Sequence, residues 1–289
     1  MSIVGGHLGD LTLKPVTECV RTGLAVCSTD RDIALMRKFL VGSGVRDSSS
    51  DASMVVEDVK KKLGVEREVD IYENKAYQNF IGYAAANKIL STEFKPKGPA
   101  NSTALLDNFN IDAAMNRWTL IGKDEFGKKF YHVPFQMIDF VETRSELSKL
   151  DPLELKKQGY NCFGVVINTD VSTGGGIHWF CIYGDLDHAG TVEDPIQLEY
   201  FNSSGYTPRP EMEKWLRTIE MEMLKRGVRA NVIYATGGKQ IQYSKTECGV
   251  WSLVYIYSRL SGKPYYWMAT VGANDNDMIE YRQRLFRLK

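Results

Sequence analysis

Apolar positions in the second half of the chain follow two alternating periods. After Cys248, the residues Val250, Leu253, Ile256, Tyr257 and Leu260 recur at three- and four-residue steps, which predicts a buried helix. Ser261-Gly-Lys-Pro264 supplies its stop. Met212, Trp215, Leu216, Ile219 and Met223 draw a second apolar stripe, and a helix over 210–226 is expected, with Pro210 in its first turn and Gly227 at its end. Short runs rich in β-branched and aromatic residues predict strands near 163–168, 178–184, 196–201 and 231–235. A closing helix is expected from Asp275 to Leu288, with Arg282, Arg284 and Arg287 on a solvated face.

The first hundred residues have a different character. Helices are expected near 29–41 and 54–63, around a polar loop at 47–53, and one long helix from Tyr72 to Leu90. Lys95-Pro-Lys-Gly-Pro99 reads as a linker, so the expected organisation is a helical N-terminal arm at 1–99 and a second domain at 100–289, opened by a helix near Asn110–Trp118. The class is α+β, with a central mixed sheet between helices.

Composition fits such an organisation without pointing to a function. The 289 residues are 43% hydrophobic and 25% charged, enough for a substantial core. Lys+Arg and Asp+Glu are both 36, so net charge offers no argument for nucleic acid. No apolar run approaches a membrane span, and Met1-Ser-Ile-Val-Gly-Gly-His7 does not read as a secretory signal. The five cysteines are an odd count at irregular spacings, which predicts free thiols in a reducing compartment. Cys162, His178, Cys181 and His188 match no usual zinc spacing, so neither a metal nor another cofactor is expected.

The chemistry concentrates in Gln242-Tyr-Ser-Lys-Thr-Glu-Cys248-Gly249. A thiol at a helix N-terminus meets unpaired N–H groups and the positive end of the dipole, both of which favour the nucleophilic thiolate. Gly249 would let a substrate backbone approach closely. Of four histidines, His178 is the candidate base, because a glycine loop (Gly174-Gly-Gly176) carries it into a strand. His7, His132 and His188 read as structural or surface residues. Asn202, at the end of the next strand, can accept the imidazole N–H and fix its tautomer. Glu199 is the alternative, and period-two alternation puts the two on opposite faces. For the oxyanion, the Cys248 N–H and the Gln242 amide are candidate donors, with Gln240 and Lys245 as rivals. Trp179 reads as the wall of a narrow substrate tunnel.

The order His178-Trp179, Asn202, Gln242, Cys248-Gly249 resembles the SUMO-specific and adenovirus-type cysteine proteases. The likeness is strongest to a viral, polyprotein-processing branch, through Leu105–Asp112, Phe163–Asp170, Ser172–Trp179, Glu199–Gly205, Thr246–Gly249 and Arg284–Arg287, and covers roughly residues 100–289. Most SUMO-type members carry Asp at the position of Asn202, whereas the viral branch is similar to this chain in having Asn. That branch has Gln three residues before its cysteine, where this chain has Lys245. Gln242 matches the wider family.

The resemblance implies a papain-like core, an N-terminal arm and a thiol protease without cofactors. Its implied substrates are viral structural polyproteins, cut after Gly-Gly pairs during particle maturation in the host cytoplasm and the virion. Ubiquitin-like modifiers are the alternative partners, and neither a membrane nor nucleic acid is implied. A catalytically dead scaffold is the reading from another class. Gly5-Gly6 is a candidate site of self-trimming.

Overall fold

A computed structural model describes residues 18–20, 25–45 and 50–288, so Gly5-Gly6, His7 and part of the polar loop lie outside the described residues. The described residues divide into two units: Asn101–Arg282, and those from 18 to 100 together with 283–288.

The larger unit is built on a 6-stranded sheet. β1 (Phe130–His132), β3 (Cys162–Asn168), β4 (Trp179–Asp185), β5 (Ile196–Phe201) and β6 (Ala230–Tyr234) lie side by side in that order, and β2 (Gln136–Met137) also pairs with β3. β3, β4 and β5 are antiparallel neighbours, whereas β1, β2 and β6 join in parallel. Helices cover both faces, so the central strands read as continuous apolar runs and every residue of β3 and β4 is buried.

Alternate residues separate the two faces. Phe163, Val165, Ile167, Phe180, Ile182, Leu198 and Tyr200 pack with Met212, Trp215, Leu216 and Met223 of α8 (Pro210–Lys225). On the opposite face Phe201 stacks on Tyr255 of α9 (Cys248–Leu260), with ring centroids 4.2 Å apart. Trp118 of α6 (Asn108–Phe126) meets Tyr257 of α9 at 5.9 Å. The sequence had no clear signal for β1 and β2, where Pro134 interrupts two very short strands, nor for α7 (Pro152–Lys157). Yet α7 starts on a plain cap: the Asp151 carboxylate accepts from the Leu153 and Glu154 N–H groups, and Pro152 follows it.

In the smaller unit α1 (Asp30–Gly42), α2 (Ala52–Leu63), α3 (Glu68–Glu73), α4 (Lys75–Ile81) and α5 (Tyr83–Glu93) enclose Met36, Leu40, Val55, Val59, Val69, Tyr72, Tyr77 and Phe94. The single helix expected from Tyr72 to Leu90 is broken twice. The side chain of Asn74 accepts from the Ala76 N–H and restarts the helix, and Gly82 adopts φ +91°. Its own core keeps each piece helical, although none is long enough to be stable alone.

Two further expectations fail here. Cys19 and Cys27 form a disulfide; Glu68 accepts from the N–H groups of Cys27 and Ser28 while Cys19 pairs with Phe94, which brings the two sulfurs together. Cys162, Cys181 and Cys248 remain free and buried. Arg282 and Arg287 are not solvated. Arg282 is fully buried on Glu247, and Arg287 pairs with Glu73 at 2.5 Å and donates to the Lys95 carbonyl. An arginine reaches such a position only when a carboxylate meets it, and linear spacing does not reveal the partner. α11 (Asp275–Leu285) also stops short of the expected Leu288.

Candidate active site

Cys248 opens α9, and the loop before it is held from several sides. Asp275, the first residue of α11, accepts from the N–H groups of Tyr243 (2.8 Å) and Ser244 (2.7 Å) through one oxygen, and from the Trp251 indole (2.9 Å) through the other. Farther along α11, Arg282 donates to both carboxylate oxygens of Glu247, the residue before the cysteine, at 2.6 and 3.1 Å. The thiol itself is only 2% exposed and lies on a cavity of about 480 Å³ shared with Leu105, Leu106, Asn168, Gly174–Gly176 and Trp179.

His178 sits one residue before β4. The glycine loop that delivers it is not slack: Asn168 accepts from the Ile177 N–H (2.9 Å) and Asp170 from the Gly176 N–H (3.0 Å). The imidazole Nε2 lies 2.9 Å from the Asn202 Oδ1, which also accepts from the Ser204 N–H at 3.0 Å. Among the described residues only this ring nitrogen of His178 is hydrogen-bonded. With Nε2–H donating to Asn202, Nδ1 keeps its lone pair. Trp179, the next residue along, and Cys248 line the same cavity, so the start of β4 and the start of α9 meet there.

Burial pushes the Cys248 thiol up from its ordinary value, against the N–H groups of Trp179, Gly249 and Cys248 itself, which pull it down. Burial also holds the His178 imidazole below its ordinary value, against the Asn202 bond, which raises it. The helix-terminus argument for a resting thiolate is therefore opposed by desolvation, which favours the neutral form of both groups.

The three candidate oxyanion side chains differ sharply. Gln242 is buried. Its Oε1 accepts from the Ser203 hydroxyl at 2.5 Å, its Nε2 donates to the Ser244 carbonyl at 2.9 Å, and one amide proton is left over. Gln240 is exposed and spends its amide on the Gln242 carbonyl (2.8 Å), and Lys245 is exposed. Glu199 faces α9, where Arg259 (2.8 Å) and the Tyr255 hydroxyl (2.6 Å) hold it away from His178.

Trp179 and Gly249 meet across the cavity. The Trp179 indole donates to the Leu106 carbonyl at 3.0 Å. A side chain added at Gly249 would find Leu106 at 3.1 Å and Trp179 at 3.3 Å, so the glycine lets these two close down beside the thiol. Of the remaining histidines, His132 lies between Asn116 and Asp112, and His188 pairs with Asp194. Among the described residues one group has metal-ligand spacing, Cys19, Cys27 and Glu68, and there the two sulfurs are bonded to each other.

No family model matches the chain. The SUMO-1 cysteine protease of African swine fever virus is 34% identical to it over 245 residues, 79% of this chain and 85% of that protein. The chain belongs to the viral SUMO-type cysteine proteases. The crystal structure of the African swine fever virus protease superimposes on this SUMO-type protease with a TM-score of 0.72 at 27% identity, over 96% of this chain and 97% of the other. A protein of Acanthamoeba polyphaga mimivirus named as a thiol protease is 25% identical over 198 residues, 65% of this chain and 60% of that protein. The SUMO-type protease thus has the papain-like α+β core of its family, a mixed sheet between helices, with a helical N-terminal region. It is a cysteine protease rather than a scaffold.

Several residues that shape the site of this SUMO-type protease carried no clear sequence signal: Leu106, Asn168, Tyr200, Ser203 and the Glu247–Arg282 pair. Only Tyr200 could have been found from spacing, because it lies two residues before Asn202 and so on the same side of its strand.

Proposed function

We propose that this protease is an endopeptidase that cuts viral structural polyproteins after Gly-Gly pairs during particle maturation, in the host cytoplasm and the virion. The observation that carries this reading is the packing of Leu106 and Trp179 against Gly249, joined by the indole's bond to the Leu106 carbonyl, which walls the cavity beside the thiol and suits small residues there.

In the proposed cycle His178 Nδ1 takes the Cys248 proton as the sulfur attacks the glycine carbonyl. Asn202 accepts from Nε2–H and steadies the imidazolium that forms. The Cys248 N–H and the spare Gln242 amide proton stabilise the oxyanion, with Gln242 held by Ser203. The C–N bond breaks as the imidazolium passes its proton to the leaving amine. Water then adds to the thioester with His178 again as base, releasing the Gly carboxylate and the thiol.

Cleavage of a panel of Gly-Gly-Xaa peptides by the wild type, Cys248→Ala and Trp179→Ala tests the reading. Cutting by the wild type, none by Cys248→Ala and relaxed selectivity in Trp179→Ala are expected. An active Cys248→Ala would remove the nucleophile assignment, and unchanged selectivity in Trp179→Ala would remove the tunnel. The name of the swine fever relative, a SUMO-1 cysteine protease, favours a second reading: a deconjugating isopeptidase acting on ubiquitin-like modifiers. Hydrolysis of a SUMO fusion much faster than of a Gly-Gly peptide would decide for it.

A further inference from the structure

The smaller unit brings two sulfurs and a carboxylate to one point. Cys19 Sγ, Cys27 Sγ and a Glu68 carboxylate oxygen all lie within 4.8 Å of one another, and both cysteines are buried. In the oxidised chain the two sulfurs are bonded to each other. We infer that reduction turns this point into a binding site for a thiophilic divalent cation, zinc, held by the Cys19 and Cys27 thiolates and the Glu68 carboxylate. The site lies in a different unit from Cys248 and does not depend on the proposed proteolytic cycle.

Each cysteine is held in place by bonds that reduction leaves intact. Around the bridge between Cys19 and Phe94, the Val20 N–H donates to the Glu93 carbonyl and the Lys95 N–H to the Glu18 carbonyl, both at 2.9 Å. Cys27 is anchored by Glu68 itself, whose Oε2 accepts from the Cys27 N–H at 2.9 Å. The other oxygen, Oε1, accepts from the Ser28 N–H (2.8 Å) and the Ser28 hydroxyl (2.6 Å). Three of the carboxylate's four lone pairs are thereby used, and the spare one is on Oε2. The charge of Glu68 is unanswered as well. Among the described residues no Lys or Arg pairs with it, and its neighbour Arg67 is spent on Glu18 and Asp70. Two thiolates released beside this carboxylate would repel it and each other, and a cation that binds all three removes the repulsion.

The donor set chooses the metal. Thiolate sulfur selects zinc over magnesium and calcium, which take oxygen ligands. Three protein ligands leave the fourth tetrahedral position to water. The exchange balances. Two small-molecule thiols give up their hydrogens and leave as their own disulfide, the Cys19–Cys27 bond breaks, and each cysteine gains a thiol hydrogen. Zinc then displaces both as protons into solvent as the two Zn–S bonds form. Disulfide and metal are thus alternative staples of the same two residues, one for oxidising surroundings and one for reducing ones.

The test reduces the full chain with a monothiol, removes the thiol by gel filtration without oxygen, and titrates the protein with zinc chloride and, separately, cobalt chloride. The reduced wild type is expected to bind about one metal per chain, with thiolate-to-cobalt absorption, and the chain left oxidised to bind none. Cys248→Ala should bind like the wild type, which sets aside the free Cys248 thiol as the ligand. Cys19→Ser should abolish binding. Glu68→Gln keeps the disulfide, so its fold can be checked in the oxidised form. Its zinc affinity after reduction should fall by about 100-fold, the upper end of what even a partner one bond further out costs. A reduced wild type that takes up no zinc overturns the inference. So does binding that survives Cys19→Ser or is unchanged in Glu68→Gln, because the metal then sits elsewhere.

Discussion

At the scale of single residues, burial sets the acidities of the two groups proposed to react. Cys248 at a helix N-terminus suggests a thiolate, but the thiol is almost fully covered and desolvation moves it up. The same covering moves His178 down. A base works in its neutral form, and a lowered value means that form is present from lower pH. The acid limb of kcat/KM is therefore expected below the ordinary imidazole value of about 6.5. Alkylation of Cys248 by iodoacetamide should climb steadily with pH beyond the ordinary thiol value of about 8.5, with no plateau in the acid range. A flat alkylation profile down to pH 5 would mean a preformed thiolate–imidazolium pair.

At the scale of elements, α11 serves as the strap of α9, the helix that Cys248 opens. Asp275 gathers the Tyr243–Ser244 loop and Trp251, and Arg282 locks Glu247 one residue before the cysteine. Removing one partner of a fully buried ion pair strands the other charge. Glu247→Ala or Arg282→Ala is therefore expected to cost about 3–5 kcal/mol by chemical denaturation. Replacing both partners by apolar residues, Glu247→Leu with Arg282→Met, should recover most of that loss. A double variant as unstable as the singles would show that the pair's charges are needed for more than mutual compensation. The failed expectation of a helix from Tyr72 to Leu90 belongs to this scale too. Its apolar spacing was sound, but Asn74 and Gly82 carry backbone preferences that spacing ignores.

At the scale of the molecule, the segment 283–288 belongs with the smaller unit rather than with the unit that precedes it in sequence. Arg287 bonds Pro96 and Gly98 through its backbone and Glu73 through its side chain, and Phe286 fills the space beside Gly98. Ending the chain at Arg282 should therefore destabilise the smaller unit by roughly 3 kcal/mol or more, the scale of losing one buried aromatic. Limited proteolysis should then cut first within residues 25–100; an unchanged cleavage pattern would count against this role.

The sequence by itself determined what is local or periodic. The four main strands, the helices of the sheet's two faces and the separation of Glu199 from Asn202 all follow from spacing, because side-chain direction is fixed by the repeat of the backbone. Likewise the Cys-Gly at a helix start and the histidine at a strand start were visible as short motifs. Tertiary structure alone decided what depends on partners far along the chain: the Cys19–Cys27 bond, the burial of Arg282 and Arg287, and the covering of Cys248. It also decided which side chains support the candidate site. Tyr200 accepts from Asn202, Ser203 donates to Gln242, and Leu106 closes on Gly249 with Trp179. The physical reason is common to them all. Charge, acidity and amide orientation answer to desolvation and to the hydrogen-bond partner on the other side, and those are set only when distant segments pack.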